Sequence, residues 1–255
     1  GGGGGTIATE AAARAPADGY TLVIGSLSTF VIGPLLNPNI RYDPMKSFSP
    51  VSMIAVGSSL MLTNPEVPAR SLRELVDYAK SKPGALNFLT VGPGSPARLL
   101  MELFKTAAGM DVTMVSYKGA GPAMADLMAG QVDAMFATVP TVSSFIKSGK
   151  LQALAITSPT RSDVAPGLPA MAEFYPGFLS VAWFGVVGPA NLPANVVTTL
   201  NKVTMESLTQ QDVKTRLFNS GVEVRTMGPD EFAKYCASEM QKWEKVVKAS
   251  GAKAE

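Results

Sequence analysis

Short apolar runs alternate with amphipathic segments along most of this chain. "YTLVIGS", "SLMLTN", "ALNFLTV", "VTMVSY", "VDAMFA", "LQALAIT" and "VAWFGVV" are each bounded by turn residues, and each predicts a strand. Between them, "SLRELVDYAKSKPG" predicts a helix: Ser71 and Glu74 have the spacing of a capping box, and Leu72, Leu75, Val76 and Ala79 share one face before Pro83-Gly84 stops it. A second helix opens at Ser95, with Pro96 in its first position and a stripe of Leu99, Leu100, Leu103, Phe104 and Ala107 running to Gly109. After Gly188 three helical segments surround one short strand, "VEVRT". Such alternation implies an α/β fold with a largely parallel sheet. The tail reads as a return to a first lobe formed by 1–63 and 186–255, with 64–185 as a second lobe, each a mainly parallel sheet flanked by helices.

Composition narrows the chemistry more than it narrows the fold. Of 255 residues 46% are hydrophobic and 16% charged, enough to bury a large core. The net charge is +2 and no run of Lys or Arg could track phosphates, so nucleic acid is not an expected partner. There is no histidine, which removes Ser-His and Cys-His catalysis within this chain. Cys236, the one cysteine, sits in the helical "EFAKYCASEM" as a small apolar filler and permits no intrachain disulfide. The thirteen methionines read as core filler, not as a metal pathway. No stretch of about 18 apolar residues is present to span a bilayer and no leader precedes the fold, so a soluble mature form is expected. The opening "GGGGGTIATE" enters a helical pattern at once, which implies sequence upstream of it.

Three loops follow strands where an open α/β sheet binds ligands. The first is Gly92-Pro93-Gly94-Ser95, a glycine loop opening a helix whose unpaired N–H groups would attract an anion. An ordinary tight turn with a serine cap accounts for the same local pattern. It is neither a Walker loop nor a dinucleotide fingerprint, because no Gly-Lys-Ser/Thr follows and Ala97 replaces the last glycine; a Gly-x-Ser-x-Gly elbow is also absent. The others are "GSLSTF", with Ser26, Ser28 and Thr29, and "FATVPT", with Thr138. Their hydroxyls serve either a polar ligand or their own backbone. Arg98 and Lys118 are cations near these loops that could meet a second charge, or be ordinary solvated side chains. Asp126 and Asp133 read as a helix face and a turn before a strand, not as a catalytic pair, and Trp183 as core or as lining between lobes.

The ordered blocks "ARAPADGYTLVIGS", "NPNIRYDPMKSFSPVSMIA", "VGPGSPARLLMELFKTAAGMDVTMVSYKGAGPAMADLMAGQVDAMF", "GKLQALAITSPTRS" and "WFGVVGPANLPANVVTTLNK" resemble the periplasmic solute receptors of tripartite tricarboxylate transporters, the TctC or Bug family. The resemblance runs from Thr6 to about Trp243. It implies a two-lobed Venus-flytrap fold of the periplasmic-binding-protein type II class, closing on a small mono- or dicarboxylate in its interlobe cleft and delivering it to membrane permease subunits. A periplasmic monomer without a cofactor or a metal is then expected, and no catalysis. The family's ligand loops map onto Ser26, Ser28 and Thr29, onto Thr90, Gly92, Gly94, Ser95 and Arg98, and onto Ala137, Thr138 and Val139. Two departures stand out: the family usually has a histidine where Arg98 stands and often an acid or amide near Ala137. Its amino-terminal strand and Pro-Phe-x-x-Gly-Gly loop are missing. Two other functions compete: acyl transfer with Ser95 as nucleophile and Lys118 as base, which requires a desolvated lysine that "SYKGAG" does not plainly provide, and a ligand-sensing module that signals to a membrane partner.

Overall fold

A computed structural model describes residues 5–250 apart from 92–95, 118, 177 and 179. In chain order the elements are α1 (Thr6–Ala13), β1 (Val23–Ser26), a π-helical turn (Ser28–Ile32) leading into α2 (Gly33–Leu36), β2 (Phe48–Thr63), α3 (Leu72–Ser81), β3 (Asn87–Val91), α4 (Pro96–Ala108), β4 (Thr113–Tyr117), α5 (Ala120–Met128), β5 (Ala134–Thr138), α6 (Val139–Lys147), β6 (Gln152–Ile156), β7 (Val181–Pro189), α7 (Ala194–Thr209), α8 (Gln211–Asn219), β8 (Val222–Met227) and α9 (Pro229–Ser250). The chain divides into two compact units. One takes the residues through Gly57 and again from Ala182; the other is Ser58–Val181. The chain passes between the units inside β2 and at the start of β7.

In the Ser58–Val181 unit, β5 and β6 both pair antiparallel with the end of β2, and β3 pairs parallel with β5 and β4. Strands β3 to β6 therefore share a direction, joined through α4, α5 and α6, and β2 alone runs against them. A βαβ crossover fixes the direction of the strands it joins, whereas β2 enters from outside that series. Both sheet faces are covered, so the strands are apolar at successive positions instead of alternating. Phe88, Met61 and Phe136 point to the side of α3 and α4, and their neighbours Leu89, Leu60, Leu62 and Met135 to the side of α5 and α6. Phe104 is the hub of the first face, with edge-to-face contacts to Phe136, Tyr175 and Phe178 at 6.0, 5.8 and 6.2 Å.

Two helix details differ from expectation. The Ser71 hydroxyl accepts from Glu74 N–H, but the Glu74 carboxylate accepts from Arg70 N–H, one residue before the cap, so the box closes a residue early. In α4, Ala107 is exposed while Met101 and Ala108 are buried. The stripe is rotated because both sides of Phe104 meet core.

The other unit has β1 antiparallel to β7, β7 beside β2, and β8 antiparallel to β2. These described ladders correct the expectation of a mainly parallel sheet here. β2 and β7 carry the chain out of the unit and back, and β8 and β1 meet them antiparallel at their free edges. Gly25 lies opposite Gly185 in the β1–β7 ladder, and each leaves room for a ring. A Cβ on Gly25 would sit 2.8 Å from Phe30, and one on Gly185 would overlap Phe232 and approach the Ser52 carbonyl to 3.0 Å. Fully buried Trp183 joins the two rings, with centroids 6.1 Å from Phe30 and 5.4 Å from Phe232, which places it in this unit's core. Cys236 is buried beside this cluster on α9, and burial pushes its thiol up to about 12, as suits a filler and not a nucleophile.

The ring on Gly185 sets a test. Gly185→Ala is expected to destabilise the protein by about 1–3 kcal/mol through overpacking, read from urea denaturation. Gly84→Ala serves as the comparison, since no atom lies within 4 Å of its added Cβ and only its φ of 74° opposes the substitution.

Candidate functional site

Strands β3, β5 and β6 run the same way, so their carboxyl ends emerge at one edge of the sheet in the Ser58–Val181 unit. Thr90 stands next to last in β3; it is buried, and its hydroxyl has no partner among the described residues. A buried hydroxyl without a partner costs free energy unless something else bonds it. The loop after it, with Gly92, Gly94 and Ser95, lies outside the described residues, as does Lys118 after β4; so therefore do both residues of the acyl-transfer reading. Pro96 then opens α4, with Arg98 half-buried in its first turn.

β5 ends at Thr138, beside half-buried Ala137, and α6 begins at once with Val139 and Pro140. The Thr138 side chain does not cap that helix. Its hydroxyl pairs with the Thr141 hydroxyl at 2.8 Å, so the first-turn N–H groups of α6 receive no bond from the N-cap side chain. Two helices of 13 and 9 residues therefore follow parallel strands at this edge, α6 directly and α4 after a four-residue loop, each with partial positive charge at its first turn.

Residues at this edge that the sequence reading passed over are Ser59 and Thr157. Ser59 N–H donates to the Thr157 hydroxyl at 2.9 Å, and Thr157 N–H to the Ser59 carbonyl at 2.9 Å. The adjacent Ser58 hydroxyl is buried and without a partner among the described residues. The signal was present as a Thr-Ser pair directly after the apolar "LQALAI", the same arrangement that marked the other loops. Asp126 and Asp133 have structural tasks: Asp126 accepts from the Tyr117 hydroxyl at 2.7 Å, which raises the tyrosine pKa, and Asp133 accepts from Asn87 N–H at 2.6 Å.

In the other unit the loop after β1 is a closed polar knot. Ser26 N–H donates to the Thr29 hydroxyl at 3.1 Å, Thr29 N–H donates to the Ser26 hydroxyl at 3.3 Å, and the two hydroxyls lie 3.2 Å apart. Tyr42 donates its hydroxyl to the Thr29 carbonyl, and burial, reinforced by Glu10, pushes that phenol up to about 12. Ser26 and Thr29 thus serve their own backbone, while Ser28 is exposed on the π-helical turn. Among the described residues no group of three or more acidic or cysteine side chains is placed to hold a metal, and no helix is long and apolar enough to cross a membrane.

A family model described as "Tripartite tricarboxylate transporter family receptor" matches residues 1–252. Protein BugT of Bordetella pertussis is 38% identical over 254 residues, which is 99% of this chain and 78% of that protein. Among solved structures, Rpa4515 of R. palustris with adipate superposes with a TM-score of 0.80 at 32% identity, covering 98% of this chain and 84% of that one. MatC (Rpa3494) from Rhodopseudomonas palustris with bound malate gives 0.73 at 34% identity, over 96% and 85%.

Thr29→Val is expected to cost about 1–3 kcal/mol by leaving the Ser26 N–H unbonded at the turn, with Thr29→Ser retaining most of the stability. Chemical denaturation of the three proteins checks this, and equal midpoints would mean that the knot contributes nothing.

Proposed function

The chain belongs to the tripartite tricarboxylate transporter receptor family, and we propose that it is an extracytoplasmic receptor that binds a small mono- or dicarboxylate and passes it to the permease of such a transporter. The observation that carries this reading is that two relatives above 30% identity over nearly the whole chain were solved with the dicarboxylates adipate and malate. The edge at β3 and β5 suits such a ligand. Neutral donors aimed at a carboxylate bind it strongly without a buried counter-charge, and helix amino termini add favourable partial charge. In this reading Thr90, Gly92, Gly94, Ser95, Ala137, Thr138 and Val139 contact the ligand. Arg98 meets a second carboxylate where the ligand has one, which favours dicarboxylates over their monocarboxylate analogues.

Isothermal titration against malate, adipate, succinate and acetate tests the reading. Dicarboxylates are expected to bind, and Ser95→Ala to weaken them by roughly 10- to 150-fold, the equivalent of about 1.5–3 kcal/mol for a hydrogen bond to a charged group. Affinity unchanged in Ser95→Ala would take Ser95 out of the site. Failure of every carboxylate to bind a folded sample would overturn the receptor reading.

A further inference from the structure

The Ser58–Val181 unit carries a second opening that shares only Val139 with the residues proposed for the small carboxylate. A groove of about 600 Å³ runs along α6, walled by Leu60, Ile146, Leu151 and Leu168, with Ser143 midway and Val139 at one end. Openings of this size accommodate small organic ligands. Two cations stand on it, Arg70 and Lys147, and no acidic residue lines it. Arg70 is held in place by its neighbours: its guanidinium donates to the carbonyls of Val67 and Ala69 at 2.9 and 3.3 Å and to the Gln152 side chain at 3.2 Å. Among the described residues neither cation forms an ion pair with a carboxylate.

An apolar trough with two unneutralised cations is complementary to a ligand with a hydrocarbon body and one anionic end. A short dicarboxylate does not match it, because its second charge would have to lie on Leu60, Ile146 and Leu168. We propose that this groove binds a free medium-chain monocarboxylate, with the alkyl chain along α6 and the carboxylate between Lys147 and Arg70. Burial of each methylene strengthens binding by up to roughly fourfold, so affinity should climb with chain length until the groove is filled.

The probes are hexanoate, octanoate and 1-octanol, titrated calorimetrically into the whole chain and into three variants. Octanoate is expected to bind at least fivefold more tightly than hexanoate and than octanol. Lys147→Glu, a change at an exposed position, is expected to weaken octanoate at least fivefold, and Ser143→Trp, which fills the groove, to abolish it. Ser95→Ala is expected to leave octanoate unchanged, which separates this groove from the site proposed for small carboxylates. Octanoate binding that Lys147→Glu leaves intact, or that Ser95→Ala removes, would overturn the groove site, and so would the absence of binding at 5 mM octanoate, a ceiling of roughly 3 kcal/mol. Loss of malate binding in Ser95→Ala with octanoate retained would support both sites independently.

Discussion

The structure depends on the backbone hydrogen bonding of β2. This one strand of 16 residues pairs with β7 and β8 in one unit and with β5 and β6 in the other. Between Leu60 and Thr63 both of its edges are occupied at the same residues, and all four are buried. A strand so enclosed tolerates no charge, because a buried ion without a partner costs far more than any single contact returns. "FSPVSMIAVGSSLMLT" contains none. Its polar residues are small hydroxyls, which can turn to a neighbouring backbone group or be left for something else to bond.

Continuity of β2 also explains why the rest of the Ser58–Val181 unit can be built as repeated strand-helix crossovers. β3, β5 and β6 need only one strand already in place to fix the register, and β2 supplies it: Leu60 faces Ala137 on one edge and Ile156 on the other. Asn64, the first residue past the strand, then ties the layers together. Its amide donates to the Leu127 carbonyl at 2.7 Å and to the Met128 carbonyl at 3.3 Å, and its side-chain oxygen accepts from Glu66 N–H at 2.7 Å. The last carbonyls of α5 are thereby satisfied by a residue over 60 positions away, a cap that no local pattern can announce.

That contrast runs through what the sequence made legible. Period and punctuation identified the strands of the Ser58–Val181 unit and the helices α3 and α4, because both sheet faces are buried and the apolar runs are unbroken. The length of β2 was hidden: only its end, "SLMLTN", was read as a strand, although a proline near the start of a strand and small residues in a crowded one are both compatible with pairing. The antiparallel ladders of the other unit were hidden too, since nothing local states which way a distant strand approaches. For the candidate site, the loops after β1, β3 and β5 were singled out from their chemistry, but the hydrogen bonding of their hydroxyls was not. Ser26 and Thr29 bond one another, whereas the Thr90 hydroxyl has no partner among the described residues.

The chemistry at the sheet edge also bears on what a receptor must do after binding. A carboxylate gripped by a buried cation would leave an uncompensated charge behind on release, so each departure would carry the cost of exposing or resolvating that charge. In the proposed reading, backbone N–H groups and hydroxyls near the starts of α4 and α6 would hold the same anion through fixed dipoles, and water would take over each bond as the ligand leaves. Affinity then comes from several modest bonds made together, and it disappears when their common geometry is lost. A chain without histidine fits this scheme, because the donors it offers at the edge keep the same charge across the physiological pH range. On the same reading, selectivity would fall to shape and to Arg98, a cation in the first turn of α4.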